Sequence, residues 1–188
     1  METTGEAGVN PTAQLETTRL EAWLTDNYAT AYRTACLITR QPADAEEAVQ
    51  EAFLRAWRFR DALPAGDGHR AWLYRVLVNA CYSKLRTEIP RRDRSAGPAP
   101  LDGLADESPA PDEEAVRSER AGIVRRALDD LPDHLRTVVV LRYWTGLSER
   151  EIATAIRRRP GTVKSRLHEA RRRLADQPRL GALTAEEV

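Results

Sequence analysis

Apolar side chains recur along the first half of the chain at every third or fourth residue. Leu20, Leu24, Ala31, Ala35 and Ile38 mark one stripe, and Ala45, Val49, Ala52, Phe53, Ala56 and Trp57 mark a second. A third runs through Trp72, Leu73, Val76, Leu77, Ala80 and Leu85. Side chains spaced this way fall on one face of an α-helix, so the pattern predicts three helices that bury a common side. Pro42 suits the first turn of the second helix because its φ is already helical. Asp44, Glu46 and Glu47 follow it at the positive end of the helix dipole. Pro64, Gly66 and Gly68 punctuate a loop before the third helix.

The periodicity stops near residue 94 and resumes at 116. The intervening stretch is rich in Pro, Ala, Gly, Asp and Glu and has neither a helical nor a strand period, which predicts an extended, flexible tether. Beyond it come four shorter helical patterns. The first carries Val116, Ile123, Ala127 and Leu128 and ends at Leu131-Pro132; the second carries Leu135, Val138, Val139 and Leu141 and is closed by Gly146. Ser148 and Glu151 form a capping box that opens the third, and the fourth starts near Pro160. The expected architecture is all-α, with two small helical domains joined by a flexible acidic linker. The segments are a disordered start (1–15), a helical domain (16–94), the linker (95–115), a helix-turn-helix domain (116–178) and a tail (179–188).

Charge changes the picture. The formal net charge of the 188 residues is zero, but residues 95–116 hold six acids and no base. Residues 148–173 hold nine bases against three acids, a net of +6, and residues 69–94 hold seven against two, a net of +5. Two basic islands around an acidic tether fit a protein that binds a polyanion.

The last helix shows how. Val163, Leu167, Ala170 and Leu174 share a narrow arc, and Ile152, Ala153 and Ile156 complete the core of a helix-turn-helix. On the opposite side lie Gly161, Ser165, His168, Glu169 and Arg172, flanked by Thr162, Lys164, Arg166, Arg171 and Arg173. Short polar groups at the centre and long cations at the rims suit a major groove, where bases are read and phosphates are held. The corner, Arg157-Arg158-Arg159, is unusual. Glycine normally fills its left-handed position, because a β-carbon clashes there, and Ser or Thr normally caps the helix before Pro160.

Other functions lose ground. No window is apolar enough to cross a membrane, and METTGEAGVNPTAQ has no secretory pattern. Cys36 and Cys81 are too far apart for a disulfide framework or zinc site and read as buried thiols in a reducing cytoplasm. His69, His134 and His168 are scattered, with no nucleophile–base group and no phosphate-cradling loop, so neither an enzyme nor a metal or cofactor is expected.

Three segments carry a family resemblance: DAEEAVQEAFLRAW (44–57), HRAWLYRVLVNACYSKLR (69–86), and LPDHLRTVVVLRYWTGLSEREIATAI with GTVKSRL (131–167). Together they resemble the extracytoplasmic-function sigma factors of the sigma-70 type, promoter-recognition subunits of bacterial RNA polymerase. The resemblance implies that the helix at 44–57 docks on the clamp helices of the largest subunit of core RNA polymerase, through Asp44, Glu47, Gln50, Glu51 and Leu54. It implies minus-ten promoter DNA contacts from Asp67, His69, Arg75, Asn79, Lys84 and Arg86. Trp72 and Tyr74 have rings that could stack on a base, but aromatics at that spacing are more often core, and Trp72 is placed there. It implies minus-thirty-five contacts from Arg158, Arg159, Thr162, Lys164, Ser165, Arg166, His168 and Arg172. The acidic linker would thread the polymerase interior, and an anti-sigma factor would hold the chain in check.

The chain departs from the family at Ser83, where Asp is usual, at Arg157 and Arg158, where Gly and Val are usual, and at Glu169, where a base is common. Two other readings therefore stay open: an ordinary helix-turn-helix regulator, and an inhibitor that occupies polymerase without selecting promoters.

Overall fold

Seven α-helices make up the described chain. The computed structural model describes residues 11–63, 68–87, 111–178 and 180, with side chains over 18–63, 68–86, 118–178 and 180. The first helix, α1, spans Pro11–Thr39, so residues 11–15 are helical where a disordered start was expected. Leu20, Leu24, Ala31, Ala35 and Ile38 are all buried along it. The helix ends where Arg40 turns to a left-handed φ of 64° and donates its N–H to the Cys36 carbonyl at 2.9 Å. Two residues later α2 (Pro42–Arg58) starts at the expected proline and buries Ala45, Ala48, Val49, Ala52 and Ala56.

The third helix, α3 (Gly68–Thr87), is apolar around most of its circumference. Leu73, Val76, Leu77 and Ala80 of the expected stripe are buried, but so are Ala71, Tyr74, Val78 and Cys81 outside it. A helix apolar all round needs partners on more than one side. Helices α1 and α2 supply one side; the second half of the molecule supplies the other. Burial pushes the Cys81 thiol up to about 12.

The second half opens with α4 (Pro111–Asp129), five residues earlier than the apolar pattern indicated. The sequence PDEE has the proline-then-acid order that starts helices, and a stripe search that looks only at apolar positions passes over it. Next, α5 (Asp133–Val139) runs into a single π-helical turn, Val140–Trp144, closed by Gly146 at φ 70°. The expected capping box is present at the start of α6 (Glu149–Ala155): Ser148 N–H donates to a Glu151 carboxylate oxygen at 2.8 Å, and Glu151 N–H donates to Ser148 Oγ at 3.3 Å. The last helix, α7 (Pro160–Ala175), buries Val163, Leu167 and Ala170.

The two halves share a core. Leu73, Leu77 and Cys81 of α3 belong to the same buried cluster as Val138, Leu141, Leu147 and Ile152. Polar bonds reinforce the seam: the Tyr82 hydroxyl donates to Thr137 Oγ1 at 3.0 Å, and Arg136, fully buried, donates Nη2 to the Ile38 carbonyl at 2.7 Å. Residues 95–110 of the acidic linker and the tail beyond 180 lie outside the described residues.

Candidate docking and nucleic-acid faces

The buried alanines of α2 leave its other side to solvent. Glu47, Gln50 and Leu54 are exposed there, and Asp44 and Glu51 are half-buried beside them. Glu51 pairs with Arg55 one turn on, and Gln50 Nε2 donates to Glu46 Oε1 at 3.4 Å. Leu54 is 67% exposed. Trp57, expected in the core stripe, is 38% exposed, and Phe59 is 52% exposed. Ala56 takes the inward position at that level, which turns Trp57 outward, where Arg60 lies 5.6 Å over its ring. An acidic face ending in three exposed apolar side chains is therefore larger than the sequence reading. Three large apolar side chains within six residues, more than one narrow face can bury, were the available signal.

The α3 face brings only some of its expected residues together. Asp67 lies outside the described residues. His69 tilts against the Trp23 ring at 5.8 Å. Tyr74 is buried and bonded to Thr34, so it cannot stack on a base, whereas Trp72 packs half-buried against the core as expected. Arg75 and Asn79 are half-buried, and Asn79 faces an open groove. Ser83 Oγ donates to the Asn79 carbonyl at 3.0 Å, and Arg86 Nη2 reaches Ser83 Oγ at 3.4 Å. The serine thus engages the neighbouring arginine through a neutral contact. Lys84 is held by the Glu47 carboxylate of α2, and this hydrogen bond keeps the Glu47 carboxyl below the usual range. A residue expected to dock protein and one expected to hold DNA are paired with each other.

On α7 the division is cleaner. Lys164, Ser165, His168 and Arg172 are exposed on the side away from Val163, Leu167 and Ala170, with Thr162 and Arg166 half-buried at one flank. Ser165 Oγ donates to the Gly161 carbonyl at 3.0 Å, so the hydroxyl offers solvent its lone pairs. The Glu169 carboxylate lies 2.7 Å from Arg173 Nη2, which offsets its reversed sign. The corner forms despite its three arginines. Arg157 takes φ 52°, Arg158 N–H donates to the Ala153 carbonyl at 2.9 Å, and Arg158 and Arg159 are exposed. Arg159 sits at the N-cap of α7 with no side-chain cap bond, as the sequence implied.

These two faces meet. A groove of about 1210 Å³ has Asn79, Ser83 and Arg86 on one wall and Arg157, Arg158 and Arg166 on another. A second, apolar groove of about 220 Å³ runs beside Val124, Tyr143, Trp144 and Leu174. Tyr143 is 62% exposed at its edge, where the π-helical turn carries it outward.

Residues 20–89 match the family described as Sigma-70 region 2, and residues 121–174 match Sigma-70, region 4. The chain is 33% identical over 142 residues to the ECF RNA polymerase sigma factor SigW of Bacillus subtilis, covering 72% of this chain and 76% of that protein. It is 34% identical over 171 residues to the ECF sigma factor SigL of Mycobacterium tuberculosis, covering 89% and 93%. Among solved structures, it is similar to CnrH in complex with the cytosolic domain of CnrY, with a TM-score of 0.61 at 21% identity over 94% of this chain and 96% of that one. It is also similar to RpoE of Bartonella quintana in complex with the anti-sigma factor NepR, with a TM-score of 0.60 at 23% identity over 82% and 94%. Among the described residues no helix is long and apolar enough to cross a membrane.

Proposed function

The chain belongs to the extracytoplasmic-function sigma factors of the sigma-70 family, RNA polymerase subunits of transcription initiation, and we propose how its residues divide that work. Region 2 docks on the clamp helices of core polymerase through Asp44, Glu47, Gln50, Glu51 and Leu54, extended by Trp57 and Phe59. Its α3 face, through Arg75, Asn79, Lys84 and Arg86 with Asp67 and His69 at the preceding loop, takes the minus-ten element. Unstacking a base there costs a few kcal/mol, which pocket contacts and backbone cations offset. Region 4 lays α7 into duplex DNA at the minus-thirty-five element, with Arg158 and Arg159 on phosphate and Thr162, Lys164, Ser165, Arg166, His168 and Arg172 along the groove.

The observation that carries this reading is the two-sided α7: buried Val163, Leu167 and Ala170 on one side, exposed Lys164, Ser165, His168 and Arg172 on the other. A polar, cationic helix face above an apolar core fits a major groove. Sigma factors are a non-enzymatic family; for this chain too we assign the chemistry to core polymerase and its place to the cytoplasm. RpoE, the relative in complex with the anti-sigma factor NepR, supports an anti-sigma partner here.

Transcription of sheared genomic DNA by core polymerase, with and without the protein, tests the assignment. RNA starts sharing two upstream motifs at fixed spacing are expected; core binding without new starts would turn the reading to an occupying inhibitor. Lys164→Ala with Arg166→Ala should weaken binding to promoter duplex and reduce the slope of log affinity against log salt by about 2. Since Glu47 also holds Lys84, Gln50→Ala with Leu54→Ala is the cleaner docking variant. It should weaken core binding by about tenfold, roughly 1.4 kcal/mol, and unchanged affinity would remove the α2 face from the reading.

A further inference from the structure

Lysine is nearly absent from this chain. Of its 29 lysine and arginine residues 27 are arginines, and the two lysines are Lys84 and Lys164. The difference is chemical as well as geometric. A guanidinium does not give up its proton in a protein, whereas an ammonium that does so exposes a nucleophilic amine. Acylation of that amine removes the charge. In a surface whose cations are otherwise arginine, only these two side chains carry a charge that acyl transfer can erase.

The fold treats the two amines differently. The Lys84 side chain is 27% exposed, and its Nζ is held by the Glu47 carboxylate. The hydrogen bond to Glu47 pushes the Lys84 amine above its ordinary range, with the charges of Asp44 and Glu51 adding to it, so less of it is free base. Lys164 is exposed on the polar side of α7, between Gly161 and His168, and no carboxylate pairs with it among the described residues. Arg158, Arg159, Arg171, Arg172 and Arg173 share the exposed surface of this half. A field of that sign concentrates small anions near the amine.

We propose that Lys164 is an acylation site whose modification weakens the hold of α7 on DNA, and that the donor is a small acyl phosphate. Nζ attacks the acyl carbon and the bond from that carbon to the phosphate oxygen breaks. Phosphate leaves with the electron pair, and the amine proton passes to water. The amide is neutral, so α7 loses a cation from its polar face, while Lys84 is spared by Glu47. This inference rests on the assignment of α7 to duplex DNA given above.

The test incubates the full chain with acetyl phosphate and follows each lysine by peptide mass spectrometry. Acetylation of Lys164 should outpace that of Lys84 by about threefold or more. Glu47→Gln, which releases the Lys84 amine, should close most of that gap. The protein acetylated at Lys164 should bind a mixed-sequence DNA duplex more weakly, with the slope of log affinity against log salt reduced by about 1. Lys164→Arg keeps a charge that cannot be acylated, so its own duplex affinity should be the same before and after treatment. Equal rates at the two lysines of the wild-type chain, or a faster Lys84, overturn the proposal. Untreated Lys164→Gln separates it from the α7 assignment. Weaker duplex binding by this variant without selective acetylation removes the acylation site and leaves the DNA face. Selective acetylation with duplex binding unchanged in both the variant and the modified protein removes the DNA face and, with it, the proposed effect.

Discussion

Arg40 and Arg157 both stand at left-handed φ, 64° and 52°, just past the end of a helix where glycine would sit without strain. Their side chains have different surroundings. Arg40 reaches the end of α4 and Asp133 on the other half, whereas Arg157 is exposed at the mouth of the groove. The same backbone state therefore has two different justifications. At the α1–α2 corner the strain is offset inside the molecule. At the helix-turn-helix corner the Arg157 side chain is exposed, and no hydrogen bond or ion pair of that side chain inside the described residues offsets the strain. Intramolecular contact explains one arginine; for the other, the proposed function offers phosphate contact.

The largest way to break this contrast is at Arg136, which shares the Asp133 carboxylate with Arg40. Arg136 is fully buried, and its Nε and Nη1 have no partner among the described residues. Arg136→Ala should lose about 2–4 kcal/mol in denaturant unfolding, from the cavity and the freed Ile38 carbonyl. Arg136→Met restores most of the packing and should lose less than about 2 kcal/mol, since a buried charge is often replaceable by an apolar group of similar volume.

Next come the corners themselves. Arg157→Gly should stabilise the free protein by about 1 kcal/mol, because it removes the left-handed clash with no loss of contact inside the chain. It should weaken binding to duplex DNA at the same time. Arg40→Gly relieves the same clash but removes the bonds to Asp129 and Leu131, so its thermal midpoint should lie below that of Arg157→Gly. Equal midpoints would end the distinction between the two corners.

An effect of similar size sharpens the comparison at the opposite end of α6. Ser148→Ala should cost about 1 kcal/mol through the lost cap. The hydrogen bond from Ser148 holds the Glu151 carboxyl below the usual glutamate range. Its folded pKa is thus lower than its unfolded one, so its contribution is present at neutral pH and fades as pH falls through the depressed value. The gap in midpoint between wild type and Ser148→Ala should narrow on that acid side.

Much of this was legible in the sequence because the rules involved are local. The capping box at Ser148, the left-handed Arg157 and the apolar arc of α7 each follow from a few neighbouring residues. The packing of one half on the other does not, because it joins residues 98 positions apart, as at Ile38 and Arg136. One hint was present: Tyr74, Val78 and Cys81 lie off the α3 stripe and demand a second partner surface. Trp57 lies outside the core against expectation, because helical spacing alone cannot choose between Ala56 and its neighbour for the inward position. Arg40 gave no signal, since a corner without glycine looks like any other helix end. The pairing of Lys84 with Glu47 also depends on the distance between two helices, which no spacing along the chain encodes.

Cys81 gives the shared core a chemical clock. Its thiol is buried among residues from both halves and pushed up to about 12, so almost none of it is thiolate at neutral pH and an alkylating reagent cannot reach it while the core is intact. Its modification must wait for the fold to breathe, at a rate set by the population of the opened form when opening and closing outpace the reagent. The residue that reads in sequence as an inert space-filler thereby records how often the interior is visited by solvent.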